Sequence, residues 1–277
     1  MKSLIRRLAF SSVALLGVAL HAQSGSTSVP MVTTEPTTFD LSFGGFVLTN
    51  IRTTVSLSPT NGSGGTDVDF NNQLGVSSSA TVFRADAEWR FAQHHKLEAS
   101  WFSIKQDSTH TLDRTINWGD QVYPVTATVN SHFNNDVYKL DYGYVFYSEN
   151  GNEWAALIGA HITRTEVGIG LASGASAQNF SVTAPLPVLG LEWKGQFSEK
   201  WSAKVSLEYF GLSLEDNKYS GHLTDFLAVT DYRLTDHWSI GGGYNRFDFT
   251  AKLKSDRVEF KGKRSYNGLL FFVAAHF

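Results

Sequence analysis

The 277-residue chain contains 24 glycines, six prolines, 13% aromatic residues and no cysteine, with a formal net charge of −3. The lack of cysteine excludes a disulfide framework, a thiolate metal centre and a lipoprotein anchor, and the slightly acidic balance argues against a nucleic-acid partner. Mean hydropathy is slightly negative, but strands that alternate lipid-facing and lumen-facing residues average out the same way, so a membrane barrel stays open.

The chain begins with Lys2, Arg6 and Arg7, an apolar run from Leu8 to Leu20, and Ala22. This order of charge, apolar core and small residue predicts a secretory signal peptide over residues 1–22, cleaved after Ala22. Its core of about 13 residues is short for a helical span, which needs about 20. Residues 23–36 are then expected to be a short periplasmic segment and residues 37–277 the barrel.

From there the chain repeats a period of two. Ten strands are predicted, near residues 38–56, 79–91, 96–106, 134–147, 153–170, 181–197, 200–212, 222–234, 237–251 and 264–277. In the second, Phe83, Ala85, Ala87, Trp89 and Phe91 alternate with Arg84, Asp86, Glu88 and Arg90. In the fourth, Tyr138, Leu140, Tyr142, Tyr144 and Phe146 oppose Lys139 and Asp141. In the fifth, Trp154, Ala156, Ile158, Ala160 and Ile162 oppose Leu157, Gly159 and His161. The sixth contains Pro185 and Pro187, which remove ladder donors; they are expected at its extracellular rim. In the seventh, Trp201, Ala203, Val205, Leu207 and Tyr209 share a face opposite Lys204 and Glu208. A helix would scatter those five apolar residues around its axis.

Four short polar turns, at residues 92–96, 148–153, 197–200 and 234–237, are each followed by Leu97 or by Trp154, Trp201 or Trp238. Trp89, Trp154, Trp201, Trp238 and Tyr232 are predicted to form an interfacial aromatic girdle. Longer polar segments at 57–78, 107–133, 171–180, 213–221 and 252–263 read as loops. Turns alternating with loops imply periplasmic turns, extracellular loops and, with an even strand count, two periplasmic termini. The fold class predicted is therefore all-β, a closed antiparallel transmembrane β-barrel of about ten strands.

The last strand places Leu269, Phe271, Val273, Ala275 and Phe277 on one face. This pattern resembles the C-terminal assembly signal of outer-membrane proteins. With the signal peptide and the alternating strands, the mature chain resembles small Gram-negative outer-membrane barrels: OmpA-type and OmpW-type transmembrane domains and opacity-type surface antigens. The familiar members have eight strands, against ten counted here. The resemblance implies a cell-envelope location in contact with outer-membrane lipid and lipopolysaccharide, insertion by the barrel-assembly machinery, and an extracellular ligand met at the loops.

Parity also predicts a lumen-facing set: Arg84, Asp86, Glu88, Arg90, Glu98, Lys139, Asp141, His161, Glu192, Lys194, Lys204, Glu208, Asp225, Asp231 and Arg233. The charges nearly balance, so they can pair and avoid the cost of isolated buried ions. A structural plug is the plain reading, and a narrow polar path the alternative, since water-filled channels need about sixteen strands. No catalytic, cofactor or metal site is predicted. Asp67 and Asp69 lack the Asp-x-His partner of omptin-like proteases. His237 and Ser239 have a spacing seen in some lipid A deacylases but lie beside a turn, and His94 and His95 lack a third ligand. Trp118, Tyr123, His110, His132 and Phe133 form either a recognition surface or a packed mouth; His110, Arg114 and Arg164 are candidates for lipopolysaccharide phosphates. The leading expectation is a non-enzymatic surface or structural barrel, followed by a narrow transporter or pore for small or hydrophobic solutes, and then by a rim hydrolase.

Overall fold

The two-residue alternation is realised as long antiparallel strands. The computed structural model describes residues 39–59, 65–214, 219–254 and 258–277; the expectations for residues 1–22 and 23–36 fall outside the described residues. In chain order the strands are β1 (Phe39–Pro59), β2 (Val68–Asp69), β3 (Ala80–Ala92), β4 (His95–Thr111), β5 (Ile116–Trp118), β6 (Gln121–Tyr123), β7 (Thr128–Glu149), β8 (Asn152–Leu171), β9 (Gln178–Gln196), β10 (Trp201–Leu214), β11 (Tyr219–Arg233), β12 (Trp238–Lys254) and β13 (Val258–His276). Ten of them, β1, β3, β4 and β7 to β13, form a ring that β13 closes by pairing with β1. The two-residue β2 adds to β1, while β5 and β6 make a separate hairpin.

All ten predicted strands are present, and most run farther than predicted. The polar segments 107–133 and 252–263 are largely strand: β4 continues to Thr111, β7 begins at Thr128, and only residues 255–257 separate β12 from β13. Their Ser, Thr and Asn residues suggest loops, but in a ladder they pair across strands, as Thr109 does with Asn130 (2.7 Å) and Thr111 with Thr128 (3.0 Å). Cross-strand hydroxyl and amide pairs stabilise a sheet beyond its apolar band. Pro185 and Pro187 also sit differently from expectation, inside β9, which continues past them to Gln178.

One irregularity preserves the apolar interior of β1. Its register to β13 shifts between Thr49 and Arg52, with Asn50 at φ 51°. Before this bulge Phe46 and Leu48 face inward; after it Ile51, Thr53, Val55 and Leu57 do. Without the extra residue, Val55 and Leu57 would point outward and Arg52 inward.

The outer face carries large exposed apolar residues around the ring, including Phe43, Phe83, Leu140, Ile158, Leu191 and Leu207. That is the reverse of a water-soluble protein, and the pattern of a surface solvated by lipid. Inside, charge fills the end nearest the short turns. Above it lies an apolar layer that includes Phe46, Phe102, Val137, Phe247 and Tyr266. A second cluster, with Phe70, Leu74, Ile116, Trp118 and Tyr123 from the segments linking β1 to β3 and β4 to β7, roofs the loop end.

Candidate functional site

The lumen is built by parity: every second residue of each strand points in, so neighbouring strands deliver charges to the same height. Near the turns, four carboxylates (Glu88, Glu98, Glu153 and Glu192) meet four cations (Arg90, Lys96, Lys194 and Lys204). Lys96 is the hub, wholly buried at 0% exposure. Its ammonium contacts Glu192 and lies 3.0 Å from Glu98 and 3.6 Å from Glu153. Lys204 bonds Glu98 and lies 2.8 Å from Glu192, Lys194 bonds Glu88, and Arg90 bonds Glu153 at 2.6 Å. Gly143 leaves room for this hub, since a Cβ there would lie 2.8 Å from the Lys96 stem.

A second group lies one step toward the loop end. Lys139 bonds Glu208 at 2.6 Å and Asp225 at 3.0 Å, and His161 Nε2 lies 2.5 Å from Glu208. Asn245 donates to Asp225 at 2.5 Å, and Arg84 pairs with Asp86 at 2.8 Å while resting over Phe46 and Phe102. Asp141 is buried here, with one carboxylate oxygen unpartnered among the described residues. Asp231 accepts a hydrogen bond from Ser202 (2.5 Å), and half-buried Arg233 has no ion pair among the described residues. By distance, Glu88, Glu98 and Glu192, or His161, Glu208 and Asp225, could hold a metal ion. The ammonium groups of Lys96, Lys204 and Lys139 already occupy the cation positions in both clusters.

Two members of the network are absent from the residues read in the sequence. Lys96 and Glu153 fall in segments read as turns, although the parity of Glu98 and Ser100 already turns Lys96 inward. A further polar chain crosses the closing seam. His276 Nδ1 is 2.8 Å from Asp40, and its Nε2 is 3.0 Å from Ser239 Oγ. With Nδ1 donating to the carboxylate, Nε2 accepts from the hydroxyl, which is the order of a nucleophile, base and orienting acid. Ser239, however, is at 0% exposure, so a substrate carbonyl has no approach to it. The chain ties β12, β13 and β1 together. His237, two residues before Ser239, instead points Nδ1 at the His276 carbonyl (3.1 Å).

The other candidates are placed as follows. Trp89, Trp154, Trp201 and Trp238 are exposed on the outer face near the turns, with Tyr232 half-buried against Trp201. Leu269, Phe271, Val273 and Phe277 are exposed outward, whereas Ala275 is covered between Leu41 and Trp238 in the ladder. Asp69 caps its own turn by accepting from Asn71 and Asn72, and Asp67 is exposed in the same segment. His94 and His95 bind different partners, the Val145 carbonyl and the Tyr142 hydroxyl. Of the loop aromatics, Trp118, Tyr123 and Phe133 are buried, so the packed mouth is the arrangement found. Trp118 donates to the Gln178 carbonyl (3.2 Å) and Tyr123 to that of Ile169 (2.8 Å); burial raises the Tyr123 phenol above its ordinary range, so it stays a donor. Arg114 and Arg164 remain exposed, and His110 is half-buried.

No family model matches the chain, and no curated protein matches it. Among solved structures, the outer-membrane protease OmpT of Escherichia coli is similar over 88% of this chain and 100% of its own length, at 9% identity and a TM-score of 0.53. The transport unit of the autotransporter AIDA-I, also from E. coli, matches 90% of this chain and 93% of its own at 7% identity and a TM-score of 0.42. Ail, the attachment invasion locus protein of Yersinia pestis, matches 84% and 98% at 11% identity and a TM-score of 0.35. The fold is that of small outer-membrane β-barrels.

Proposed function

We propose that this chain is a non-enzymatic outer-membrane barrel whose lumen passes no ions, and whose working surface is the loop end, exposed to the outside of the cell. The observation that carries this reading is the balanced network of four carboxylates and four cations around Lys96, beneath an apolar layer and a roof of inter-strand segments. Ions crossing such a lumen would have to break buried pairs and then enter an apolar layer, each a costly step. The belt of outward apolar residues supports a lipid-embedded position. The alternation of turns and loops, with both ends of the barrel at the turn end, supports a periplasmic location for the termini. Outer-membrane lipid and lipopolysaccharide would surround the belt, and the exposed face of the last strand would serve the barrel-assembly machinery.

Liposome swelling tests this reading. Vesicles holding the refolded protein should swell in isosmotic arabinose no faster than protein-free vesicles. Swelling that rises with protein content would favour the alternative of a narrow pore for small solutes.

A further inference from the structure

Between the apolar layer and the roof, the lumen retains a cavity of about 160 Å³. Its wall is mainly apolar, including Leu186, Phe210, Leu212, Phe249 and Phe260, and its polar residues include Thr53, Asn135, Thr163, buried Arg264 and Lys263, which is exposed. A cavity of about 150 Å³ lined by apolar side chains stays dry and accepts a molecule the size of benzene.

Arg264 is the unusual wall residue. Its side chain is 5% exposed, and it lies within ion-pair distance of no carboxylate among the described residues. Nη1 donates to Thr53 Oγ1 at 2.7 Å, and the guanidinium lies 4.2 Å from the centre of the Phe133 ring. Among the described residues Nε and Nη2 have no partner, and Thr163 Oγ1 on the cavity wall has none either. Among the described residues, Arg84, Arg90, Lys96, Lys139, Lys194 and Lys204 each pair with a carboxylate in the lumen. Arg233 has none but is only half-buried near the turns, whereas Arg264 is buried with its charge uncompensated. Nε and Nη2 form one edge of the guanidinium, whose two parallel N–H bonds match the two oxygens of a carboxylate.

The cavity also has a side door. Residues of β9 alternate in the neighbour to which they donate: Gln196 N donates toward β8, to the Gly151 carbonyl, and Phe197 N donates to Trp201 at the start of β10. The β8–β9 register runs without a shift from Asn152↔Gly195 to Ile169↔Gln178, so odd residues of β9 donate toward β10 throughout. Pro185 and Pro187 are odd and have no N–H. Both missing donors face β10. Accordingly the β9–β10 ladder ends at Tyr209↔Leu189, although β8–β9 continues to Gln178 and β10–β11 to Leu214. Leu212, which points inward and lines the cavity, is 45% exposed beside this gap. Counting eight residues from Trp201 to Tyr209 at about 3.3 Å each and a tilt near 40°, the gap opens about 20 Å above the lower girdle, near the upper edge of an apolar band about 25 Å tall.

We propose that this cavity binds a small amphiphilic carboxylate, with an apolar body about one aromatic ring in size packed in the cavity and the carboxylate held side-on by Nε and Nη2 of Arg264, and that it enters from the outer membrane interface between β9 and β10. The proposal is independent of whether the barrel conducts, because the cavity lies on the loop side of the charge network.

Phenylacetate is the probe, measured by saturation-transfer NMR on refolded protein in neutral maltoside micelles against protein-free micelles. Saturable binding is expected, with acetate and 2-phenylethanol each at least tenfold weaker. Equal binding of 2-phenylethanol would overturn the role of Arg264, equal binding of acetate would overturn the role of the cavity, and no saturable phenylacetate binding would overturn the site. This comparison uses the unaltered chain and decides the matter even if a variant misfolds. Arg264→Met should weaken phenylacetate at least tenfold, and Ala184→Phe, which fills the cavity and leaves the guanidinium in place, should do the same. Pro185→Ala with Pro187→Ala should slow association several-fold in stopped-flow competition; an unchanged rate would overturn the lateral entry route.

Discussion

Two buried cations in this lumen should respond to the same substitution with opposite signs. Lys96 is surrounded by Glu98, Glu153 and Glu192, so Lys96→Met leaves carboxylates without their shared ammonium. Breaking one partner of a buried pair costs about 3–5 kcal/mol. Arg264 has no carboxylate to abandon among the described residues, and since an uncompensated buried ion carries a desolvation penalty of several kcal/mol, replacing it by an apolar residue of similar volume should stabilise. Urea unfolding of refolded protein, followed by tryptophan fluorescence, should therefore show a lower midpoint for Lys96→Met and a higher one for Arg264→Met. Shifts of the same sign in both would show that pairing does not set the stability of these groups. Parity makes most of the network legible in the sequence: it turns Glu88, Glu98, Glu192, Lys194 and Lys204 inward, and they meet in the lumen. Lys96 and Glu153 were hidden because turn composition masked strand parity at their positions. Arg264 stood at the boundary between a predicted loop and the last strand, where Tyr266 and Leu270 already share its inward phase.

At the level of single strands, the bulge in β1 decides which residues of the loop-end half face the lumen. Asn50 holds the left-handed conformation that the extra residue requires, at φ 51°, and its amide lies 3.3 Å from the Asn267 side-chain oxygen. Asparagine and glycine tolerate that region, whereas a β-branched residue does not. Asn50→Val should thus destabilise by about 1–3 kcal/mol and Asn50→Gly by much less, as read from the same urea transitions. Equal effects would mean that the bulge does not depend on the backbone preference of residue 50. No sequence pattern announced this bulge, because apolar residues at Phe46, Leu48, Ile51 and Val55 fit either phase when read in short windows. The prolines of β9 posed a related difficulty. Their missing donors were legible, but the edge they face depends on the register to both neighbours, which only the folded ring defines. The polar ends of β4, β7, β12 and β13 look like loops in the sequence because their composition does not alternate between apolar and polar.

For the whole molecule, the ring, its strand count and its greasy exterior were all contained in the period-two pattern, since lipid on one side and a packed lumen on the other demand it. The roof was not, because Trp118 and Tyr123 could equally have stood on a surface; only their donation to the Gln178 and Ile169 carbonyls places them inside. Orientation can be tested directly in a chain without native cysteine. In intact cells a membrane-impermeant maleimide should label Arg114→Cys, at an exposed position of the loop end, and spare Asn150→Cys in the turn between β7 and β8. The reverse pattern would invert the proposed topology.

The sealed lumen is the central claim, and planar-bilayer recording of the refolded protein tests it most directly. The unaltered barrel should insert without unitary current steps over a wide voltage range, and Arg84→Ala, which frees Asp86 in the second charge group, should remain silent because the apolar layer and roof still close the path. A steady unitary current in the unaltered protein, with an ion preference that changes in Arg84→Ala, would contradict the sealed barrel and establish a conducting one.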